Sequence, residues 1–300
     1  MIQNSRRAIL LALGGFMLLS VGDVVVKTMA GQWPGSAIAA LRYTLGAAGL
    51  VAIVAVRLGR SGFRVPRPGL QIARGAAVAV ATLGFFLGVH VMPLADATAI
   101  VFTSPLLTVL LSALFLKETA PRATWGAISL AFAGVLIVLR PNLAALGLAA
   151  LLPLGAALAM AVLMILNRRA AGMASALQLQ MVLALAAAPM LIAVTFAGHL
   201  TGDPLLVVNP PDWTVVARCV FIACTATTGH WLIFRATELA SAATIAPTTY
   251  SELLVAATAG ALIFGDYPDV VSVGGMALIV AGGLWLWRAQ KVPVVAETPD

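Results

Sequence analysis

Charge is scarce in this sequence. Only 10% of its 300 residues are Asp, Glu, Lys or Arg, where a soluble domain carries about a quarter, so a water-soluble globule is excluded. Cysteine is nearly missing too. The two present, Cys219 and Cys224, stand five apart in one apolar run, about 7.5 Å along a helix axis, a spacing that disfavours a disulfide. A disulfide-stapled secreted scaffold is thereby excluded, and the composition excludes disorder and collagen. Enzyme signatures are absent as well. No HExxH, GxSxG or P-loop occurs, which removes the metalloprotease, serine-hydrolase and ATP-driven chemistries. The one cysteine pair, Cys219-x4-Cys224, has no second Cys or His pair to complete a structural-zinc site, and no cofactor is expected.

What fills the chain is apolar: 61% of residues even without glycine. A membrane-spanning helix needs roughly 20 such residues, and the runs between charges, glycines and prolines predict ten spans, near 8–30, 36–57, 73–92, 96–116, 124–141, 145–167, 176–197, 214–236, 241–264 and 270–289. The third and fourth are nearly continuous across Met92-Pro93. The opening run, behind Arg6 and Arg7, imitates a secretory signal, but nine further runs make it a retained first span. The class is an all-α integral membrane protein.

The formal charge of +7 invites a nucleic-acid reading, but the placement of the charges decides otherwise. With the N-terminus inside, Arg6, Arg7, Arg57, Arg60, Arg64, Arg67, Arg74, Lys117, Arg122, Arg168, Arg169, Arg235, Arg288 and Lys291 fall on the inner face, which is 14 of the 18 basic residues. Lys27, Arg42, Arg140 and Arg218 remain on the outer side or within the outer half of a helix. The positive-inside rule then puts both termini in the cytoplasm. The partners expected are the lipid bilayer and a small-molecule solute, with a second copy of the chain also admitted, and no nucleic acid.

The two halves repeat. Leu94-Ala95, Ala97 and Ile100 recur as Leu239-Ala240, Ala242 and Ile245; Leu114, Lys117-Glu118, Gly126 and Ala133-Gly134 recur as Leu262, Gly265-Asp266, Gly274 and Ala281-Gly282. Earlier, Leu13-Gly14, Lys27 and Gly31 match Leu154-Gly155, Arg168 and Gly172. The first unit covers 8–141 and the second 145–289. Five helices per unit is an odd number, so the second copy enters the membrane from the opposite side. Inverted repeats of this kind are a common architecture of secondary transporters.

Charged groups deep in a span cost about 2.5–3.5 kcal/mol on insertion scales, so each needs a partner or a wet cavity. Glu252 lies near the middle of the ninth span, too far from either end to reach water. It is expected in a central cavity, where a carboxyl suits reversible protonation and proton coupling. Asp23 and Lys27 are four apart, the spacing at which they either neutralise each other or leave Asp23 for substrate. Arg42 either snorkels outward or clamps a carboxylate or phosphate with its planar fork. His90 and His230 are packing residues or further contacts, and Asp96 is expected to cap the fourth helix. Gly84 and Gly88 have the spacing that lets two helices approach closely. Ser20-Val21-Gly22-Asp23 only faintly resembles the GxGD of intramembrane aspartyl proteases, since Ser20 replaces the first glycine.

Pro105 and Pro247 interrupt the fourth and ninth spans, which are partners in the repeat. Each removes an amide donor and frees the carbonyl four residues earlier, at Val101 and Ala243. Such groups at membrane depth are tolerated where they are buried in protein or line a cavity, and matched interruptions point to a binding site. Thr103-Ser104 and Thr248-Thr249-Tyr250 add hydroxyls nearby.

The segments Met92-Pro93-Leu94-Ala95-Asp96-Ala97-Thr98-Ala99-Ile100, Leu116-Lys117-Glu118 and Gly134-Val135-Leu136-Ile137-Val138-Leu139-Arg140-Pro141, answered by Gly229-His230, Ala246-Pro247-Thr248-Thr249-Tyr250 and Phe264-Gly265-Asp266-Tyr267-Pro268, resemble the drug/metabolite transporter superfamily. Specifically, they look like its EamA-type carriers, and most like the branch with bacterial S-adenosylmethionine uptake carriers and animal organic-anion relatives. The resemblance covers essentially the whole chain. It implies a multi-pass inner-membrane carrier whose cavity is lined by spans 1, 3, 4, 6, 8 and 9, with 5 and 10 peripheral. Lys117 stands where the family usually has glycine, and Asp266 where glutamate is common.

The expectation is therefore a secondary active or facilitative transporter of a small polar or zwitterionic metabolite, or of an organic anion, working by alternating access. Asp23, Arg42, Tyr250 and Glu252 lead the expected contacts, followed by His90 and His230. The rival from another class is a membrane scaffold, whose polar groups would pair with one another around a dry interior; an intramembrane enzyme is the third reading.

Overall fold

The computed structural model describes residues 2–116, 122–170, 172–203, 206–239 and 246–289. Among them every regular element is a helix: α1 (Ile2–Thr28), α2 (Gly35–Leu58), α3 (Pro68–Val91), α4 (Leu94–Val101), α5 (Ser104–Leu116), α6 (Arg122–Leu146), α7 (Leu152–Ala170), α8 (Ala176–Leu200), α9 (Trp213–Leu239), α10 (Ser251–Ala259) and α11 (Val270–Ala289), with short tighter or wider turns between some of them. Eight helical stretches are long and apolar enough to cross a membrane, and two shorter apolar ones, Trp125–Arg140 and Thr248–Phe264, stand where the fifth and ninth spans are expected. Without water a chain can satisfy its backbone only in helices or a closed barrel, and continuous apolar runs of about 20 residues, rather than alternating ones, select helices.

Local chemistry sets the ends. Pro34 precedes α2, Pro68 opens α3 and Pro93 precedes α4, positions where a missing amide costs nothing. Ser175 accepts a bond from the Gln178 amide at the start of α8. Asp212 and Asp269 do the same for Thr214 and Ser272 ahead of α9 and α11. Bonds from Thr214, its backbone first, hold the Asp212 carboxyl below the usual range, and bonds from Ser272, its side chain first, do so for Asp269. Asp96 is no cap: Pro93 occupies that position and Asp96 sits buried in the first turn of α4.

The fourth span is two helices. α4 ends at Val101, Thr103 turns back onto the Ile100 carbonyl through its amide (3.1 Å) and hydroxyl (2.7 Å), and α5 begins at Ser104. The ninth is likewise composite: a tight turn over Ala246–Tyr250, then α10, then a wide turn over Gly260–Phe264. Lys117, Glu118, Ala240, Ser241, Ala242, Ala243, Ile245 and Lys291, which carry parts of the repeat match, the ninth span and the charge pattern, lie outside the described residues.

Packing pairs the halves: α1 lies on α9, α3 on α7, α2 on α8 and α6 on α11. Lipid tails are as apolar as leucine, so small residues that admit close approach drive such contacts. Gly84 and Gly88 of α3 serve this purpose, because a side chain there would strike Leu152, Ala156 and Pro153 of α7. One end of the bundle gathers Arg57 at the end of α2, Arg168 and Arg169 at the end of α7, and Arg288 at the end of α11. This basic end also holds the start of α1; the far end holds the α1–α2 and α3–α4 junctions.

Candidate functional site

A cavity of about 380 Å³ opens between the helices. α1 contributes Leu19, Gly22 and Asp23, which share one face at three- and four-residue spacing. Arg42, Tyr43, Gly46 and Leu50 come from α2, and α3 presents Arg74, Val78, Thr82, Phe85 and Phe86. Thr98 and Val101 of α4 and Phe102 after it line the wall beside the helix break. Asn167 of α7, Gln180 of α8, Thr227 and His230 of α9 and Glu252 of α10 complete it.

Four of the residues singled out in the sequence thus face one space: Asp23, Arg42, His230 and Glu252. Arg42 turns inward. Its guanidinium lies 5.3 Å from the Tyr43 ring centre and 5.4 Å from that of Phe86, a cation–π clamp that holds the charge where the fork can meet a solute. Tyr43 is itself fixed by a 3.2 Å hydroxyl contact with Thr82. Asp23 lies within electrostatic reach of both Arg42 and Glu252, and His230 within reach of Arg42. The His230 ring is anchored by Nδ1 on the Ala226 carbonyl at 2.7 Å. Ser20 donates to the Glu252 carbonyl at 3.1 Å, joining α1 to α10 beside the two carboxylates.

Asp23 and Lys27 do not neutralise each other. Lys27 Nζ pairs with Asp266 at 2.5 Å, donates to the Met92 carbonyl at 2.9 Å and lies 5.2 Å from the centre of the Phe264 ring. One cation thereby ties α1, the end of α3 and the segment after α10 together at the far end. Asp23 is left to the cavity.

Tyr250, His90 and Pro105 sit elsewhere. The Tyr250 ring meets Phe102 edge-on at 5.9 Å and aims its hydroxyl at Gly283 of α11. His90 packs against Gly35 and the Val26 backbone at the far end of α3. Pro105 is exposed, while the break it creates lines the cavity through Val101 and Phe102. Pro247 falls in the turn ahead of α10. Spans 1, 3, 4, 6, 8 and 9 all contribute, as the family resemblance implies, and α2 and α8 join them; among the described residues none of α6 or α11 lines the cavity.

Sequence reasoning missed Arg74, Asn167 and Gln180. Arg74 reads as one more basic residue at a span end. The signal that finds it is helical phase, since residues 74, 78, 82 and 85 fall on one face. Among the described residues no three His, Cys, Asp or Glu side chains gather as a metal site, and both cysteines are free.

The EamA-like transporter family matches residues 6–140 and 147–288. The chain is similar to an S-adenosylmethionine uptake transporter of Rickettsia bellii, 25% identical over 285 residues and covering 94% of each chain. It is also 25% identical over 296 residues to a pseudopaline exporter of Pseudomonas aeruginosa, covering 95% of this chain and 98% of that one. A riboflavin transporter of Rhizobium johnstonii is 26% identical over 234 residues, 78% of this chain and 75% of the relative. These relatives are named transporters, not enzymes. A solved crystal structure shares the fold, with a TM-score of 0.60 at 20% identity over 95% of this chain and 99% of its own.

Proposed function

Because the chain belongs to the EamA-like transporter family and is a multi-pass membrane transporter, we propose that it moves a small zwitterionic metabolite across the inner membrane by alternating access. The two repeats, 8–141 and 145–289, act as inverted halves, and the basic end faces the cytoplasm. The observation that carries this reading is the single cavity in which Asp23, Arg42, His230 and Glu252 meet. Its volume falls within the range of about 300–1,000 Å³ for small-molecule sites. The carboxylates take the solute's cationic group and the Arg42 fork takes an anionic one. The packing supports inverted halves. Exchanging the repeats turns the α1–α9 pair into the α7–α3 pair and leaves α2–α8 and α6–α11 as their own counterparts, and all four pairs are present. A scaffold held together by its polar groups would instead close them on one another.

An amino-acid-like or nucleoside-linked zwitterion fits this charge set, and S-adenosylmethionine is the first solute to test. Purified protein should be stabilised against heat by that solute, as any ligand that binds only the folded state requires. Glu252 is the proton carrier in this reading. In proteoliposomes Glu252→Gln should remove the response of uptake to an imposed pH gradient; an unchanged response rejects that role.

A further inference from the structure

Arg74 is a buried cation with neutral partners. It is 5% exposed, Nε donates to Asn167 Oδ1 at 2.7 Å, and Nη1 donates to Gln71 Oε1 at 2.5 Å and to the Leu179 carbonyl at 3.4 Å. Gln71, 1% exposed, is held in turn by the Pro66 carbonyl at 3.0 Å. Among the described residues no carboxylate pairs with Arg74. A buried cation ordinarily demands an opposite charge, because taking it out of water is costly. Here amide and carbonyl oxygens hold the guanidinium in place and leave its charge uncompensated, facing the cavity.

Its position gives that charge a direction. Arg74 lies two turns into α3, Asn167 one turn from the end of α7 and Gln180 one turn into α8, so all three stand at the basic end of the cavity. Arg42 packs on Phe86, twelve residues further along α3, about 18 Å of helix. Arg42 faces Asp23 there, with Glu252 beside them. The cavity is therefore polarised lengthwise, acidic groups in the far half and a lone cation in the near half.

We propose that Arg74, with Asn167 and Gln180, is an anion-binding station at the basic mouth of the cavity. It takes the carboxylate of a dipolar solute as that solute passes between the mouth and the deeper half of the cavity, where Arg42 receives the same group beside Asp23 and Glu252. The solute class rests on the transporter reading above; the anion preference of the station does not.

Two measurements separate these. In the full chain carrying Cys219→Ala and Cys224→Ala, Gln180→Cys supplies a single thiol. Its rates with an anionic sulfonatoethyl and a cationic trimethylammonioethyl methanethiosulfonate are each divided by the rate on free mercaptoethanol. A unit positive charge about 6 Å away through water raises the anion-to-cation ratio about tenfold. That ratio should fall toward one in Arg74→Gln and persist in Arg74→Lys. A ratio that Arg74→Gln leaves unmoved, or a thiol neither reagent reaches, overturns the station. The second measurement compares uptake of S-adenosylmethionine with that of its decarboxylated analogue. Arg74→Gln should raise the half-saturating concentration of the first about tenfold, a typical loss for one charge-assisted contact, and leave the second unchanged. Equal effects on both overturn the carboxylate assignment. Wild-type protein that takes neither solute overturns the substrate reading, while the thiol ratio still decides Arg74.

Discussion

A methyl group at Gly283 would collide with the Tyr250 hydroxyl. Gly283→Ala should therefore lower stability by about 1–3 kcal/mol, the usual cost of overpacking, and Tyr250→Phe in the same chain should recover part of the loss; thermal unfolding of the single and double variants measures both. Tyr250→Phe alone should leave solute affinity intact, because the ring packs on Phe102 and α11 rather than on the cavity. The sequence places Tyr250 two positions from Glu252, and residues two apart on a helix do not share a face; that phase separates a packing tyrosine from a cavity acid. Arg42 behaves differently. Arg42→Lys keeps the charge but loses the planar fork between two rings, so affinity for an anionic group should fall roughly tenfold, read as a raised half-saturating concentration.

At the scale of elements, Lys27 and Asp266 join α1 to the turn before α11 across 239 positions. Their side chains are 12% and 29% exposed, between the surface case worth under about 1 kcal/mol and the buried case in which losing one partner costs about 3–5. A double-mutant cycle with Lys27→Met and Asp266→Asn should return a coupling of about 1–2 kcal/mol. If the far end opens during transport, this contact breaks in every cycle. Bridging Lys27→Cys to Asp266→Cys with a short bifunctional thiol reagent should stop uptake, and cleaving the bridge should restore it; uptake through an intact bridge would show that this end stays shut. The i,i+4 spacing of Asp23 and Lys27 is legible in sequence, but Asp266 is not a neighbour until the chain folds. The breaks in the fourth and ninth spans follow more directly from their residues. Pro105 cannot donate to Val101, and the chain responds by closing Thr103 onto Ile100 and starting again.

For the whole molecule, an even number of spans puts both ends on one side, and the basic end should be cytoplasmic. A fluorescent protein fused after Asp300 should glow, and alkaline phosphatase fused there should stay inactive. The opposite pattern would require an odd number of crossings or the reverse orientation. Composition and hydropathy determined by themselves that this is a helical membrane protein, because continuous apolar runs of about 20 residues span a bilayer as helices, whereas barrel strands would alternate. Motif and repeat pointed to its family, and charge within the spans singled out Asp23, Arg42 and Glu252, because such groups are costly in lipid wherever they occur. Tertiary structure alone decided which polar groups share a space. It drew Lys27 away to Asp266, set Tyr250 against Gly283, and carried Arg74 from an apparent helix-end charge into the cavity with Asn167 and Gln180. Side-chain partners across tens of ångströms depend on how helices stack and rotate, and that is set by the sum of many small packing contacts rather than by any local run of residues.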